Sequence, residues 1–293
     1  MGFFSKLFGG KKKRLNYQQR FELLHSAISG TMSKVYKAKD RETGGIVALK
    51  ILDSQKTADL EARFKDPRFK KDPKPREGAI AIQLKHKYIV NTLEEGLTVD
   101  GEQYIVMEFL EGTGLNSVLM VKQDLLAGAR LHYIRQLAEA LQVVHDKGFI
   151  HRDICPRNLL FTGDANILKL TDFGLTVPNR KPYTDPGNRT GTPDYMAPEL
   201  ARRRPTDHRL DIFSFGVTIY ELCTRQLPWP KGDSGLAAMT HDQPPMPIET
   251  YRPAINKTLA EAIHTCIEPD PKNRFESINK FLRAISKIKY EDD

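Results

Sequence analysis

The stretch that decides the fold is His151-Arg-Asp-Ile-Cys-Pro-Arg-Asn158, which places an aspartate and an asparagine close together in the chain. Asp172-Phe-Gly174 begins fourteen residues after Asn158, and Gly191-Thr-Pro-Asp-Tyr-Met-Ala-Pro-Glu199 follows it. Far upstream, Val47-Ala-Leu-Lys50 brings a lysine into a β-rich run. One triplet of this kind is weak evidence, but four motifs in this order are poorly explained by chance.

Composition sets the class of protein. Of the 293 residues, 40% are apolar and 28% are charged, which is typical of a soluble globular protein and excludes disorder or a collagen-like fibre. No apolar run approaches the ~18 to 20 residues that a membrane span needs. The three cysteines lie far apart without metal-ligand spacing. We therefore expect neither disulfides nor a zinc site, and a reducing, cytoplasmic compartment.

The positive charge is concentrated at the start of the chain. The net charge is +8, but six basic residues and no acid lie within residues 1–20, so the remainder carries only +2. A nearly balanced body argues against nucleic acid as a partner. In the tail, four apolar side chains between Phe3 and Phe8 share one helical face and precede the cluster Lys11–Arg14. One hypothesis is peripheral binding to an anionic membrane surface, and the alternative is a disordered tail without a partner.

The organisation of the chain changes from strands to helices. Residues 21–52, 89–99 and 103–110 have strand patterns, whereas a stripe from Leu131 to Val144 has helical periodicity. This order predicts an α+β fold with a small, mainly β N-lobe (about 21–110) and a larger, mainly helical C-lobe (about 113–288). Residues 1–20 form the predicted basic tail, and residues 289–293 an acidic end.

One helix is predicted within the N-lobe. Residues 53–76 are charged and contain three prolines, which predicts a loop or irregular insert, and Pro75 marks the start of a helix. In that helix Glu77 shares the spacing of Ile80, Ala81 and Leu84, so a carboxylate falls on the inward, apolar face. A charge in that position requires a partner.

Together the four motifs, with Glu77 between them, resemble the protein-kinase family. The resemblance covers roughly residues 21–288 and includes Arg274, which resembles the family's ion-pair partner of Glu199. Phosphoryl transfer requires that the triphosphate is held, that its charge is neutralised and that the acceptor hydroxyl is aligned. The motifs contain a candidate residue for each of these tasks.

The resemblance assigns these roles. Lys50 is implied to contact the α- and β-phosphates of ATP, and Glu77 to hold that lysine by an ion pair. Asp153 is implied to be the catalytic base, while Asn158 and Asp172 bind the Mg²⁺ (or Mn²⁺) ions that bridge the phosphates. The plainer alternatives are a surface salt bridge for Lys50 and Glu77, and turn or capping roles for the aspartates. His151 is expected to pack and to support the loop.

An ATP pocket is also implied by the resemblance. Its residues are Ile28, Gly30, Ser33, Val35, Ala48, Lys50, Met107, Glu108, Leu110 and Leu160. Met107 would border the back of the adenine pocket, and the backbone of Glu108 and Leu110 would bind adenine. Ala48 and Leu160 would lie on either side of the ring.

The phosphate-covering loop departs from the family pattern. In place of G-x-G-x-x-G-x-V the chain has Ile28-Ser-Gly30-Thr-Met-Ser33-Lys-Val35, so only the middle glycine is kept. Ile28 adds bulk, and Ser33 restricts the backbone freedom that lets amide groups close on phosphate. We expect weakened ATP binding, and not its abolition, because Lys50 and the metal ligands are present.

A second departure concerns the phosphate acceptor. Ser/Thr-specific members usually carry a lysine two residues after the catalytic aspartate, where this chain has Cys155. Arg157 stands where many tyrosine-specific members have an arginine, and it is a candidate to supply the missing charge. The segment from Gly191 to Glu199 resembles the Ser/Thr form, in which Thr192 bonds to the catalytic loop. Serine and threonine are therefore the predicted acceptors, with dual specificity left open.

Two regulatory hypotheses follow. The activation segment of the family corresponds here to a stretch that contains Thr184, Thr190 and Thr192, and a phosphate on Thr184 or Thr190 is expected to pair with Arg152. The alternative is an unmodified, solvated loop. Cys155 is a candidate redox-sensitive thiol if Arg157 favours its thiolate, and otherwise a small, inert packing residue.

Three functions remain open from the sequence. An active Ser/Thr protein kinase acting on protein substrates leads. A pseudokinase, which would be a kinase-shaped binding module with weak or no transfer, is the alternative because of Ile28, Ser33 and Cys155. A small-molecule phosphotransferase is the third, but such enzymes generally lack the segment Ala197-Pro-Glu199 and a partner such as Arg274.

Overall fold

The computed structural model describes residues 14–29, 33–64, 66–121, 126–187, 189–229 and 237–292. The chain forms two compact units. Among the described residues, the β-rich unit contains those up to Ala62 together with Thr92–Phe109, and the helical unit contains those within Arg63–Asn91 and those from Leu110 onward. The predicted α+β class, with a β-rich part and a helical part, is confirmed.

The β-rich unit is built on one antiparallel sheet. Its six strands are Phe21–Leu23 (β1), Ile28–Ser29 (β2), Ser33–Asp40 (β3), Ile46–Leu52 (β4), Thr92–Leu97 (β5) and Gln103–Glu108 (β6). They lie in the order β1-β3-β4-β6-β5, and β2 pairs with β3. Residues 41–45 join β3 to β4, and Gly44 adopts the left-handed backbone (φ 74°) that favours glycine. The predicted hairpin is therefore present.

Strand alternation gives this sheet two different faces. Val47, Leu49 and Ile51 belong to one cluster of buried side chains, which also includes Tyr104 and Val106. Side chains along a strand alternate between the faces, so Ala48 and Lys50 point to the opposite face. The sheet thus presents Lys50 on the face away from its own apolar cluster.

The start of the described chain belongs to the β-rich unit and not to a separate tail. Leu15 exchanges backbone hydrogen bonds with Leu97 and Val99, each 2.9 Å long. Arg20, at the end of the short helix Tyr17–Arg20 (α1), binds Asp40 and Glu94 in ion pairs of 2.9 and 2.8 Å. Arg20 therefore closes an ion-pair cluster on the sheet.

The segment between β4 and the predicted helix is more regular than expected. Ser54–Ala62 forms a helix (α2), and Pro67–Phe69 forms a single 3₁₀ turn capped by the side chain of Asp66. The prediction of a loop or irregular insert over 53–76 was therefore wrong for the helix Ser54–Ala62. All three prolines lie after Ala62, and Pro67 occupies the first position of its turn, where a missing N–H costs nothing.

Residues 63–91 pack with the helical unit, although the predicted N-lobe ran unbroken to residue 110. The backbone N–H of Val90 donates to Leu170 and that of Leu170 donates to Tyr88, both at 2.9 Å. The helix that carries Glu77 is short, Glu77–Ala81 (α3), and Glu77, Ile80, Ala81 and Leu84 are all buried as predicted.

The helical unit is arranged around two long helices, Arg130–Asp146 (α5) and Arg209–Thr224 (α7). The predicted stripe from Leu131 to Val144 is buried. The remaining helices are Leu115–Met120 (α4), Pro198–Ala201 (α6), Lys257–Cys266 (α8) and Ile278–Ala284 (α9). Short strands are Phe149–Ile150 (β7), Leu159–Phe161 (β8), Leu168–Leu170 (β9) and Val177–Pro178 (β10). In the described ranges, no helix is both long and apolar enough to cross a membrane.

The predicted acidic end is part of this unit. Glu291 is 6% exposed and forms ion pairs with Arg130 at 2.9 Å and with Arg252 at 2.7 Å. Its carboxylate also accepts the backbone N–H groups of Gly128 and Arg130, at 2.9 and 2.7 Å. Burial alone would raise the pKa of Glu291, but these bonds outweigh it and lower the pKa below its ordinary value. The carboxylate caps the start of α5.

Candidate active site

A fully buried carboxylate anchors the loop 151–158 through hydrogen bonds to its backbone. Asp211, in the first turn of α7, accepts the backbone N–H groups of His151 at 2.7 Å and Arg152 at 2.8 Å. It also bonds to Nε2 of His145 at 2.9 Å. Burial would raise the pKa of Asp211, yet these bonds lower it below its ordinary value, so the anchor is an ionised carboxylate. This loop is hereafter called the catalytic loop.

His151 packs inside the protein, as predicted. It is completely buried, its ring lies edge-on to Phe173 at 5.1 Å between centroids, and burial lowers its pKa. Its Nδ1 accepts the backbone N–H of Asp153 at 3.3 Å. A neutral imidazole in this position fixes the loop backbone and leaves proton transfer to other groups.

Asp153 has both carboxylate oxygens held by neighbours. Oδ1 accepts the backbone N–H and the hydroxyl of Thr192, at 3.0 and 2.6 Å. Oδ2 accepts Nδ2 of Asn158 at 2.9 Å, and the same nitrogen donates to the carbonyl of Asp153 at 2.7 Å. The predicted bond between Thr192 and the catalytic loop is therefore present. Two fixed contacts orient this carboxylate as a general base must be oriented.

A guanidinium lies next to this group. Nη2 of Arg157 donates to the hydroxyl oxygen of Thr192 at 2.8 Å, and Thr192 in turn donates to Asp153. Burial would lower the pKa of Arg157, but Cys155 and Asp153 raise it overall. The hydroxyl of Thr192 thus links the cation of Arg157 to the carboxylate of Asp153 through two successive hydrogen bonds.

Cys155 does not have the properties of a reactive thiol. Its side chain is completely buried, and burial raises its pKa to about 11. Of the two alternatives for Cys155, the inert packing residue is the one that fits, because desolvation outweighs the charge of Arg157. A neutral, enclosed thiol packs at this position and supplies no cation.

Asp172 and Glu77 meet around Gly174. Asp172 adopts a left-handed backbone (φ 63°), and its Oδ1 accepts the N–H of Gly174 at 3.3 Å. A Cβ added at Gly174 would lie 3.3 Å from Oε2 of Glu77 and from Oδ1 of Asp172, tighter than most real contacts. Glycine therefore lets these carboxylates approach the chain closely. Glu77 and Lys50 belong to different units, and their ion pair stays a prediction.

The residues present are suited to Mg²⁺ only if a bound molecule supplies some of the oxygen ligands of the ion. Among the described residues, no group of three or more His, Cys, Asp and Glu could hold a metal ion. The amide nitrogen of Asn158 is committed to Asp153, which leaves the amide oxygen to face a cation. One carboxylate and one amide oxygen fit a Mg²⁺ ion that takes its other ligands from phosphate and water.

In the β-rich unit, four predicted nucleotide-binding residues share one sheet face. Val35 lies opposite Lys50 across β3 and β4, and Ala48 lies opposite Met107 across β4 and β6. Cross-strand partners point to the same side. Lys50 is 6% exposed. This face is opposite the one that carries the apolar cluster.

The other predicted pocket residues are less fully described. Glu108 pairs with Val47 in the sheet, and Ser33 is buried. Leu110 and Leu160 are half-buried and belong to the helical unit. Gly30 lies outside the described residues. Ile28 is placed in β2, but its side chain is also outside them.

The activation segment, residues 175–192 without Asn188, is held by contacts that the sequence did not predict. Tyr183 is 2% exposed, packs on Phe69 at 5.2 Å between ring centroids and donates from its hydroxyl to the carbonyl of Asp72 at 2.6 Å. Arg180 forms two hydrogen bonds with the carboxylate of Asp72, at 2.8 and 3.0 Å. Aromatic side chains in two polar stretches were the available signal.

The phosphate-pairing residues are arranged as follows. Arg152 is 3% exposed, and its Nη2 donates to the carbonyl of Tyr183 at 2.6 Å. Burial lowers its pKa to about 10, and within the described part of the chain its Nε and Nη1 have no hydrogen-bond partner. Thr184 is half-buried and Thr190 is buried. A phosphate on either threonine pairing with Arg152 stays a prediction.

The ion pair between Glu199 and Arg274 is present as predicted. Two parallel bonds of 2.7 and 2.8 Å join the guanidinium to the carboxylate, and both residues are buried. Arg274 also donates to three backbone carbonyls, those of Glu268, Arg209 and Pro269. The bidentate pair joins the segment after Thr192 to the part of the chain beyond α8.

Comparisons with known proteins agree with the resemblance to the protein-kinase family. Residues 23–284 match the family model described as protein kinase domain. The chain is 34% identical over 277 residues to a probable serine/threonine-protein kinase of Clostridium acetobutylicum, covering 92% of this chain and 40% of that protein. It is 33% identical over 275 residues to serine/threonine-protein kinase Pkn1 of Myxococcus xanthus, covering 90% of this chain and 38% of Pkn1.

A third relative shows the same relation in length. Serine/threonine-protein kinase PknA of Mycobacterium tuberculosis is 32% identical over 279 residues, covering 92% of this chain and 61% of PknA. The chain thus spans about two fifths of the length of the first two relatives and three fifths of the third. What is shared with all three is the region that contains the catalytic loop.

Proposed function

The chain belongs to the protein kinase family, and we propose that it transfers the γ-phosphoryl group of ATP to serine and threonine hydroxyls of protein substrates. The observation that carries the proposal is the arrangement around Asp153. Thr192 and Asn158 hold its two oxygens from opposite sides. The acceptor class is supported by Thr192 and by relatives that are named serine/threonine kinases.

In this proposal Asp153 orients the attacking hydroxyl and accepts its proton. A carboxylate with fixed oxygens presents its remaining lone pairs in one direction, so the acceptor oxygen is aligned for in-line attack. Lys50 contacts the α- and β-phosphates from the sheet face that it shares with Val35, Ala48 and Met107. Asn158 and Asp172 hold Mg²⁺, which neutralises charge on the phosphates.

The pseudokinase alternative rests on one structural observation besides the missing glycines. Cys155 is buried and neutral, so the position that usually carries a lysine supplies no charge. If Arg157 does not replace that charge, nucleotide would bind while transfer stayed slow. Measuring nucleotide binding and transfer separately distinguishes the two functions.

The test is a transfer assay with labelled ATP, Mg²⁺ and a generic basic protein substrate. We expect Asp153→Asn and Lys50→Met each to lower transfer by about 10²- to 10⁴-fold. Matched controls are Asp100→Asn and Lys39→Met, which change exposed residues outside the predicted site. Asp153→Asn should still bind a fluorescent ATP analogue.

Two results would overturn the proposal. Wild-type protein that binds the analogue but transfers no label to itself or to the substrate would support the pseudokinase. Transfer by Asp153→Asn equal to that of wild type would remove the assigned base.

We also propose that the first residues of the chain bind an anionic membrane surface. Of the six tail cations, Arg20 is held by Asp40 and Glu94, and Arg14 donates to the carbonyl of Val99 at 3.3 Å. The remaining four, Lys6 and Lys11–Lys13, lie outside the described residues. Each could add ~1 kcal/mol at an anionic surface.

Sedimentation with acidic liposomes tests this second proposal. Full-length protein should sediment more than a chain that begins at Arg14, and neutral liposomes are the control. Equal sedimentation of the two chains would remove the membrane role.

A further inference from the structure

Five contacts between described residues join residues 63–74, of which Lys65 is not described, to the chain after Asp172. Lys74 donates from Nζ to the carbonyl of Gly174 at 3.2 Å. Asp72 binds Arg180 through its carboxylate and Tyr183 through its backbone carbonyl. The ring of Tyr183 packs on Phe64 and Phe69 at 6.0 and 5.2 Å between centroids. All of these residues belong to the helical unit.

Tyr183 connects this segment to the catalytic loop. Its hydroxyl donates to Asp72, and its backbone carbonyl accepts from Arg152, the residue next to Asp153. Nine residues later Thr192 bonds to Asp153 itself. The position of Tyr183 therefore limits where the chain that ends at Thr192 can lie.

The ring contributes more to this attachment than the ion pair. The side chain of Arg180 is 59% exposed and that of Asp72 is 33% exposed, so water and salt weaken their attraction. Tyr183 is nearly completely buried against two aromatic rings, which themselves meet edge to face at 5.3 Å. Buried aromatic pairs of this kind are stabilising beyond the area that they cover.

We propose that residues 63–74 form a clasp that holds the activation segment where Thr192 reaches Asp153. Asp72, Arg180 and Tyr183 are then positioning residues for phosphoryl transfer, which act through Thr192. The clasp is a part of this chain outside the catalytic motifs. The inference rests on the proposed function for its effect on transfer, but not for its effect on the segment.

The kinetic test uses a charge exchange. Asp72→Arg and Arg180→Asp should each lower kcat/KM about two- to fivefold, and the double exchange should recover it to within about twofold of wild type. Tyr183→Phe keeps the ring and loses one hydrogen bond, so it should lower kcat/KM about threefold. The value of kcat should fall and KM for the protein substrate should rise, while KM for ATP stays unchanged.

A matched control lies outside the clasp. Glu22 and Arg41 form an exposed ion pair at 4.0 Å in the β-rich unit. Exchanging these two charges, Glu22→Arg with Arg41→Glu, should leave kcat/KM within about twofold of wild type, since exposed pairs contribute little.

Amide hydrogen exchange of residues 180–192 provides a readout independent of transfer. Asp72→Arg, Arg180→Asp and Tyr183→Phe should speed exchange there, while exchange across α5 and α7 stays as in wild type. The double exchange should restore protection. If the wild type shows no transfer, the proposed function fails. Amide hydrogen exchange alone then tests whether the clasp holds the activation segment. Unchanged exchange in all three single variants overturns the clasp, whatever the transfer assay gives.

Discussion

The catalytic loop and the activation segment meet at Asp153 but are fixed in different ways. The catalytic loop is anchored by Asp211, which is completely buried and bonds to two of its backbone N–H groups. The activation segment is fixed by Tyr183 and by the partly exposed pair of Arg180 and Asp72. One attachment lies within the core of the helical unit, and the other lies partly in water.

Because of this difference, the buried anchor should mainly affect stability and the partly exposed attachment should mainly affect activity. Removing a buried anchor leaves unsatisfied polar groups in the core, so it destabilises the whole unit. Loosening a partly exposed attachment costs little stability, but it moves Thr192 away from Asp153 and so slows transfer. Substitutions at the buried anchor should therefore lower stability, whereas substitutions at the attachment of the activation segment should lower the rate of transfer.

The largest effect is expected at the anchor. Asp211→Asn should lower the free energy of unfolding by about 3 kcal/mol, because an amide has one acceptor oxygen for three donors and buries an N–H₂ group without a carboxylate's charge. The measurement is the urea midpoint at constant m-value. Asp207→Asn, a change to a half-exposed residue just before α7, is the control and should cost about 1 kcal/mol or less. Equal losses in the two variants would contradict the buried-anchor interpretation.

The next effect is expected where the two regions meet. Thr192→Val keeps the shape of the side chain but removes the hydroxyl that donates to Asp153 and accepts from Arg157. We expect kcat to fall about 10- to 100-fold with little change in unfolding free energy. Thr192→Ser, which keeps the hydroxyl, should stay within about fivefold of wild type. A kcat for the valine variant equal to that of wild type would show that this hydroxyl does not orient the base.

A smaller effect is expected from the phosphate acceptors of the activation segment. Arg152 has two buried nitrogens without hydrogen-bond partners in the described chain, and a phosphate would satisfy them. Thr184→Ala with Thr190→Ala should abolish the gain in activity, up to about tenfold, that preincubation with ATP gives the wild type. Thr258→Ala, at an exposed helix position, is the control. If the double alanine variant shows the same gain, the phosphate hypothesis fails.

The smallest effect is expected at Cys155. Because burial raises its pKa to about 11, mild peroxide should inactivate wild type and Cys155→Ser equally slowly. The measurement is residual activity over time, with reductant added back to treated samples. Faster, reductant-reversible loss in wild type alone would restore the redox hypothesis.

Local patterns predicted the parts of this molecule that repeat with a regular period. The helical stripe from Leu131 to Val144 and the hairpin that leads into the buried strand Ile46–Leu52 are both confirmed. The same is true of Thr192 against Asp153 and of Glu199 with Arg274, where the family motifs supplied the pairing.

The contacts that were missed join parts of the chain that share no period. Asp72 and Arg180 are 108 residues apart, and one charge in each of two polar loops gives no sign of a partner. The helix Ser54–Ala62 was not predicted, because the three prolines between residues 67 and 75 favoured a single irregular insert over the whole stretch. For Cys155 the sequence left two alternatives open, because it shows the charged neighbour but not the burial that raises the pKa of the thiol.

The cap that Glu291 places on helix α5 also has a consequence for synthesis. It lies 161 residues after Arg130, whose N–H it accepts. At about 5 to 20 residues per second, a ribosome needs roughly ten to thirty seconds to cover that distance. During this interval the start of α5 lacks the cap that Glu291 supplies. The helical unit therefore cannot complete this contact until residue 291 has been synthesised, however early its longest helices form.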